Sequence, residues 1–333
     1  MRICLLGDCT GRLDEGMKNT THNLYQSLGR LEQTILVRPK SILSPTTLSS
    51  VLRFNPDIFH YTMGPTWRSF AVVRLVSLLM PEAVVVMSSP RPEITPAQIK
   101  LLMGYRPSML LTQSSSQMKH FGALGFRTEL FPSGVDLDKF RPISPARKQE
   151  LRQSYGFPPA GKIAIHVGQI TAVRELDKLI PMTERRGWQL VVVAASTIPP
   201  DQRIVDLLEK SGCRVILEFV DKIEEYYQLA DCFVFPGTGS NSAIEMPLSV
   251  LEAMACNLPI ITGRFGGLPD FFGECDGFHF AENSENILSK LYQIEQLGAA
   301  QVGTRQMVER FSWDSLAQRL VKVYRGVIEE RSV

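Results

Sequence analysis

The sequence predicts an α/β protein composed of two doubly wound domains in tandem. Apolar strand-like runs alternate with helical stretches from one end of the chain to the other, a pattern typical of parallel sheets flanked by helices. The length of 333 residues suits two domains of ordinary size. The segment 141–159 combines four prolines with charged residues, and we interpret it as the interdomain connection. Ligand-binding loops are expected at the carboxyl ends of the strands, with a substrate cleft between the domains.

The individual elements follow from the apolar runs and their periodicity. In the N-terminal domain, 1–150, strands are expected at Ile3–Leu6, Gln33–Val37, Ile58–Thr62, Ala83–Met87, Met109–Thr112 and Thr128–Phe131. Helices are expected there near 17–29, 45–54, 66–79, 96–104 and 115–124. In the C-terminal domain, 160–311, strands are expected at Ile163–Val167, Gln189–Ala194, Arg214–Leu217, Cys232–Phe235, Pro259–Thr262 and Gly277–Phe280. The closing segment, 312–333, predicts one amphipathic helix.

Composition and charge exclude several classes of protein. The contents of 44% hydrophobic and 21% charged residues are those of an ordinary globular protein, and a net charge of +2 gives no indication of a nucleic-acid partner. Six scattered cysteines without a C-x-x-C pair favour reduced thiols and a cytoplasmic protein. The longest apolar run, near residue 75, is interrupted by arginine, serine and proline. We therefore expect no membrane span, and at most peripheral attachment to a membrane surface.

The stretch 231–270 carries the strongest indication of a ligand site. Its pattern predicts a buried strand, a Gly/Ser loop, a helix opened by Pro247, a second buried strand and a Gly-Gly loop. Two carboxylates, Glu245 and Glu252, flank the helix N-terminus, where free N–H groups and the helix dipole favour an anion. This combination indicates a site for a nucleotide diphosphate.

Five segments in this order resemble family 4 of the retaining glycosyltransferases, the group 1 glycosyl transferase domain. They are Pro132–Phe140 (PSGVDLDKF), His166–Arg174 (HVGQITAVR), Ala230–Pro236 (ADCFVFP), Leu248–Ala255 (LSVLEAMA) and Gly266–Pro269 (GGLP). The resemblance implies the GT-B fold, with two Rossmann-like domains and a final helix that returns to the N-terminal domain. It implies transfer of a hexose from a UDP- or GDP-sugar to a sugar, lipid-linked or small-molecule acceptor. No further cofactor is implied, and the oligomeric state is left open.

The resemblance also assigns roles to the charged residues. Glu252 occupies the position that binds the two ribose hydroxyls, which a carboxylate can accept through charge-assisted hydrogen bonds. Arg174 stands where a basic residue contacts the diphosphate, although pairing with Glu175 or Asp177 on the surface is the alternative. The second basic position of the family holds Gln169. The donor-sugar glutamate of the family is replaced by Ile244, and Glu245 lies one residue later, either in the site or at the surface.

The remaining donor-site residues are expected to act mainly through their backbone. They are Gly16 and Pro247, Leu248 at the start of the helix, Gly266 and Gly267 for close approach to the ligand, and Val220 beside the base. The catalytic candidates are Arg174, Glu245 and His60, since the histidine that many members carry after the fourth strand is absent. His60 is also readily explained as a packed structural residue, and His166 is expected to be packed within its strand.

Two further interpretations complete the sequence analysis. Asp136 and Asp138 spell a D-x-D pattern, but they lie in a turn, where aspartate is common, and we expect no metal site. The replacements at Gln169 and Ile244 leave an alternative function open, a catalytically degenerate protein that binds a nucleotide sugar or acts as a scaffold. An inverting transferase or a sugar-nucleotide epimerase on the same fold matches the motifs less well.

Overall fold

The computed structural model describes residues 1–12, 15–91, 106–159, 161–195, 198–239, 243–297 and 302–331. The helix expected at 96–104 lies outside the described residues. By their internal contacts the residues form two compact units. The first comprises Met1–Ser133, Ala243–Met246 and Trp313–Val333, and the second comprises Gly134–Ser242 and Pro247–Ser312.

The first unit is built on a six-stranded parallel sheet in the order β2-β1-β3-β4-β5-β6. Its strands are β1 (Arg2–Leu6), β2 (Gln33–Val37), β3 (Ile58–Tyr61), β4 (Val84–Ser89), β5 (Met109–Thr112) and β6 (Thr128–Leu130). The central strands are apolar runs because helices cover both faces of such a sheet. After β1 the chain forms β2 on one side of β1 and then returns to form β3 on the other side. The order of the strands therefore changes direction between the neighbours β1 and β3. At that point Gly7 follows β1, and a Cβ atom there would lie 2.2 Å from Thr62 Oγ1.

Helices cover the sheet of the first unit on both faces. They are α1 (Gly16–Gly29), α2 (Pro45–Phe54), α3 (Trp67–Leu79), α4 (Ser115–Ala123) and the final helix, α12 (Trp313–Arg331). Three of them begin where a side-chain oxygen accepts a backbone N–H at the third helical position, namely Ser44, Thr66 and Ser114. The helix α12 packs against α1, and the Asp314 carboxylate accepts hydrogen bonds from Ser27 and Arg30.

The second unit contains a six-stranded parallel sheet in the order β12-β11-β10-β7-β8-β9. Its strands are β7 (Lys162–Gly168), β8 (Trp188–Ala194), β9 (Arg214–Ile216), β10 (Cys232–Phe235), β11 (Ile260–Thr262) and β12 (Phe278–Phe280). The chain runs outward from β7 to β9 and then resumes at β10 on the other side of β7. The carboxyl ends of β7 and β10 therefore border a topological switch point, the usual place for a ligand in a doubly wound sheet.

The helices of the second unit are α5 (Pro145–Ser154), α6 (Gln202–Lys210), α7 (Ile223–Leu229), α8 (Leu248–Ala255), α9 (Leu268–Phe271), α10 (Ser284–Glu295) and α11 (Thr304–Val308). Short 3-10 helices occupy Ala172–Arg174, Leu176–Met182 and Glu309–Phe311. Pro247 has extended backbone and caps α8, so the helix begins one residue later than a proline in its first turn would imply.

The structure corrects the predicted connection at 141–159. This segment contains α5 and belongs to the second unit, which begins at Gly134 rather than after residue 150. Lys148 Nζ donates to the carbonyl of Ala230, and Arg152 Nε donates to the carbonyl of Leu229. Both cations also pair with the Asp231 carboxylate. These contacts make α5 an integral part of the second unit, although its prolines are typical of a linker.

Candidate nucleotide site

Arg174 lies at the switch point of the second unit. It ends the short 3-10 helix after β7, is 8% exposed, and holds its guanidinium carbon 5.4 Å from the ring centre of Phe235, the last residue of β10. A guanidinium over an aromatic face is an electrostatically favourable arrangement. The sequence left open whether Arg174 is a solvated surface residue, and the structure shows that its side chain is buried between the ends of two central strands.

Glu175 connects the loops that follow β7 and β10. Its Oε2 atom accepts from the backbone N–H and the hydroxyl of Thr238, at 2.8 Å each, and lies 3.2 Å from Lys178 Nζ. Burial alone would raise the pKa of Glu175, but the bonds from Thr238 and Lys178 outweigh it and hold the pKa below its ordinary value. The carboxylate thus ties together the two loops that border the switch point.

His166 is buried in β7, as expected from its place in the strand. Its Nδ1 atom lies 2.9 Å from the carbonyl oxygen of Val234, so Nδ1 carries the proton and Nε2 is left as an acceptor. Burial lowers the pKa of His166 to about 4, and the charge of Arg174 acts in the same direction. Nε2 is buried without a hydrogen-bond partner among the described residues, beside Gly168. The imidazole is therefore neutral at physiological pH.

Glu252 lies on α8, half-buried, and its Oε2 atom accepts a hydrogen bond of 2.9 Å from the Tyr227 hydroxyl. Burial raises the pKa of Glu252 to about 7, against the opposing effects of the Tyr227 bond and of Lys139. Tyr227 is fully buried and was missed by the sequence analysis. The feature of the sequence that could have indicated Tyr227 is the Tyr-Tyr pair whose second residue lies three positions before the Ala230–Pro236 motif. The carboxyl group assigned to the ribose is thus held in place and titrates near neutral pH.

The backbone positions expected in the donor site lie at the carboxyl ends of several strands of the second unit. Leu248 is the first residue of α8 and is buried, and it follows Pro247, which caps the helix. Gly266 has a φ of 51°, a left-handed value that favours glycine, and Gly267 caps α9. Val220 is half-buried after β9, the edge strand, and Gln169 is half-buried directly after β7.

Ile244 and Glu245 belong to the first unit together with Gly16. The backbone N–H of Glu245 donates to the carbonyl of Pro90 at 2.8 Å, and its side chain is half-buried. Ile244, which replaces the family's glutamate, is buried, and a Cβ atom at Gly16 would lie 3.3 Å from its Cδ1 atom. Gly16 opens α1 as expected. Its lack of a side chain is explained at least in part by this apolar contact.

His60, the catalytic candidate that the sequence also explains as a packed structural residue, has no access to solvent. Its Nδ1 atom lies 2.6 Å from the Tyr324 hydroxyl of α12, and its Nε2 atom lies 2.7 Å from Ser88 Oγ. Burial lowers its pKa to about 3. Both ring nitrogens are occupied in the core of the first unit, and the alternative reading of a packed structural histidine fits this geometry.

Asp136 makes the interactions of a turn residue. Its Oδ1 atom accepts from the backbone N–H groups of Asp138 and Lys139, at 3.0 and 2.9 Å. Within the described ranges, no three His, Cys, Asp or Glu side chains converge as metal ligands would.

In the same part of the chain no helix is both long enough and apolar enough to cross a membrane.

Comparison with known proteins finds a family whose model matches the segment that contains this site. The family model for glycosyl transferases group 1 matches the segment 161–296. Over residues 161–296 this chain is similar to the group 1 glycosyl transferase domain. This domain contains Gln169, Arg174, Glu252, Gly266 and Gly267, so most of the predicted donor-site residues lie within the matched segment.

The group 1 domain has curated relatives of low identity. D-inositol 3-phosphate glycosyltransferase 2 of Catenulispora acidiphila is 25% identical over 66% of this chain and 55% of that protein. The GDP-mannose-dependent alpha-(1-6)-phosphatidylinositol monomannoside mannosyltransferase of Mycobacterium tuberculosis is 29% identical over 60% of this chain and 56% of that protein. The chain thus spans about half the length of the curated relatives it matches.

Solved structures share the fold over nearly the whole chain. The HepE protein of Anabaena, solved in complex with UDP, superposes on this chain with a TM-score of 0.78 and 15% sequence identity. The superposition covers 98% of this chain and 100% of the HepE chain. This likeness establishes the fold class, two parallel six-stranded sheets of the GT-B type, as the sequence predicted. At this identity it establishes the fold alone.

Proposed function

We propose that this protein is a retaining glycosyltransferase that moves a hexose from a UDP- or GDP-sugar to a sugar, lipid-linked or small-molecule acceptor. The observation that carries the proposal is the position of Arg174. It supplies a buried, permanent cation at the switch point of a group 1 glycosyl transferase domain. The HepE structure contains UDP, and the mycobacterial relative is named for GDP-mannose, which supports these two nucleotides as the first to test.

The donor-site candidates of the second unit have distinct roles in this proposal. The Arg174 guanidinium stabilises the negative charge that grows on the leaving diphosphate, a contribution that is commonly large in enzymes. Gln169 donates neutral hydrogen bonds where the family has a second cation. The N-terminus of α8 adds backbone N–H groups and the positive end of its dipole. Glu252, oriented by Tyr227, accepts hydrogen bonds from the ribose hydroxyls.

Retention of the anomeric configuration is inferred from the family resemblance. In that family the departing phosphate oxygen itself takes the proton of the acceptor hydroxyl. No side chain is then required as a general base. The burial of His60, with both ring nitrogens occupied, agrees with this assignment because that imidazole is held away from solvent. We also propose a cytoplasmic location, supported by six cysteines that are all free thiols, four of them buried.

The test measures nucleotide release from a panel of UDP- and GDP-sugars in the presence of sugar and lipid-linked acceptors, followed by analysis of the anomeric configuration of the product. Arg174→Gln should lower kcat by about 100-fold, the usual effect of removing a donor that stabilises transition-state charge. Arg174→Lys should retain part of the activity. Exposed Arg203, which pairs with Asp201 at the surface of α6, provides the control substitution Arg203→Gln.

The proposal makes a directional prediction for the position that departs from the family. Gln169→Arg restores the second cation and should raise kcat. Absence of turnover with every donor, combined with nucleotide binding that Arg174→Gln leaves unchanged, would refute the proposal. Binding without turnover that Arg174→Gln weakens would favour the catalytically degenerate alternative.

A further inference from the structure

His166 lies at the point where β7 and β10 separate. Backbone pairing between these two strands extends as far as Ile165 and Phe233. Beyond that pair, the carbonyl of Val234 accepts a hydrogen bond of 2.9 Å from Nδ1 of the His166 side chain. The imidazole also stacks on Phe233, with the two ring centres 6.3 Å apart. The ring is therefore fixed at the switch point of the second unit, with its Nδ1 atom committed to the backbone.

The Nε2 atom of the same ring is buried without a hydrogen-bond partner in the described part of the chain. Buried polar atoms are nearly always paired, so an unpaired one in a ligand-binding region requires an explanation. A Cβ atom at Gly168 would lie 3.2 Å from His166 Nε2 and 3.8 Å from Arg174 Nη1. Because Gly168 has no side chain, the imidazole and the guanidinium border the same space. The unpaired atom thus lies beside the cation that is proposed to bind the diphosphate.

Arg174 is the charged side chain that acts on His166 within the described ranges. The neighbouring strands β8 and β10 bring valine and phenylalanine to the ring, which do not titrate. The Glu175 carboxylate is engaged by Thr238 and Lys178. Burial, together with the charge of Arg174, holds the pKa of His166 at about 4. A bound diphosphate opposes both effects, because a nearby negative charge favours the imidazolium and changes a pKa by about 1–3 pH units.

We propose that His166 is the second cation of the diphosphate site. Its Nε2 atom takes up a proton from solvent as the nucleotide sugar binds, and it then donates to a phosphate oxygen. Gln169, at the second basic position of the family, carries no charge, and the imidazolium compensates for that loss. An imidazolium donates from both ring nitrogens, so the bond from Nδ1 to the Val234 carbonyl is kept. Since Nε2 is closed off from solvent, we expect the Arg174 side chain to turn towards the phosphate as the ligand enters.

This inference rests on the proposed function, and its test separates the two. UDP-glucose and GDP-mannose are the probes, because a diphosphate esterified at both ends does not titrate near neutral pH. Calorimetry gives their dissociation constants for the wild type and for His166→Asn at about pH 8 and about pH 5. Asparagine keeps a donor for the Val234 carbonyl but cannot take up a proton. If the diphosphate raises the pKa of His166 by about 2 pH units, lowering the pH should strengthen binding about tenfold in the wild type relative to His166→Asn. The titration of Glu252 cancels in this comparison because both proteins share it.

The protonation itself can be observed by NMR of the ring nitrogens in protein labelled at histidine. At about pH 5, saturating donor should change His166 of the wild type from mainly neutral to mainly protonated. His279→Gln is the matched control, since His279 is buried in the edge strand β12 of the same sheet and its Nε2 atom already lies 3.0 Å from the carbonyl oxygen of Asp276. This control should follow the wild type at both pH values. Circular dichroism verifies that the variants are folded, and if His166→Asn does not fold, the NMR experiment on the wild type decides.

Each outcome separates the two proposals. A donor that binds while His166 stays neutral at about pH 5 overturns the inference and leaves the transferase proposal standing. An affinity ratio between wild type and His166→Asn that is the same at both pH values does so as well, as does a pH effect of equal size in His279→Gln. If no nucleotide sugar of the panel binds, the proposed function and this inference fail together.

Discussion

The raised pKa of Glu252 predicts a pH-dependent stability that a single substitution removes. Because burial raises this pKa from 4.5 to about 7, the folded protein binds the proton more tightly than the unfolded chain does. The free energy of unfolding should therefore fall as the pH rises through this range. The full difference corresponds to about 3 kcal/mol, an upper bound because the half-buried carboxylate keeps some hydration. Between about pH 5.5 and about pH 8 the loss should be about 2 kcal/mol.

Glu252→Gln keeps an acceptor for the Tyr227 hydroxyl but cannot ionise. Relative to the wild type, this variant should gain about 2 kcal/mol of stability on going from about pH 5.5 to about pH 8. Urea titrations at both pH values measure the free energy of unfolding of the variant and of the wild type. Glu209→Gln, on the exposed side of α6, is the control. If the stability difference between Glu252→Gln and the wild type is the same at both pH values, the reasoning from burial is wrong. The same variant should bind nucleotide more weakly, so stability and binding would move in opposite directions.

Three further predictions concern packing and buried polar groups. Gly7→Ala should destabilise the protein by about 1–3 kcal/mol because the added methyl group meets Thr62, whereas Gly29→Ala in α1, with open space around it, should be neutral or slightly stabilising in thermal melts. Arg152→Ala should cost about 2–3 kcal/mol in urea titrations, since it removes one of the two cations paired with the Asp231 carboxylate, and equal stability would contradict this. His60→Leu should lower the melting temperature but leave kcat of the folded protein unchanged, and a large loss of kcat would restore a catalytic role.

The sequence was sufficient for the sheets and insufficient for side-chain environments. All twelve predicted strands are present because parallel strands buried on both faces form short apolar runs that are easily recognised. The segment 141–159 was misassigned because prolines open and follow α5, and nothing local indicates that Lys148 and Arg152 reach across to Asp231. The placement of His60 depends on Tyr324, 264 positions further along the chain. Contacts of that separation leave no periodic signal.

In the candidate site, too, residue positions could be proposed from the sequence, whereas side-chain environments could not. Family position selected Arg174 and Glu252 as candidates, but the Tyr227 hydroxyl that fixes Glu252 comes from a different helix. The contact of Ile244 with Gly16 also joins two distant segments. Residue type indicated the possible chemistry at each of these positions, whereas burial and hydrogen-bond partners, which set the pKa values, required the three-dimensional structure.

Asp231 shows what one of the family motifs contributes to folding. Its carboxylate receives Lys148 and Arg152 from α5 and the backbone N–H of Ile163 at the start of β7. An expressed fragment that begins at residue 160 would discard both cations and leave this carboxylate with a single backbone donor. A fragment that begins at Gly134 keeps all three interactions. The compact unit that contains the candidate nucleotide site thus extends well upstream of the matched segment, and a fragment intended to isolate that site should start at Gly134.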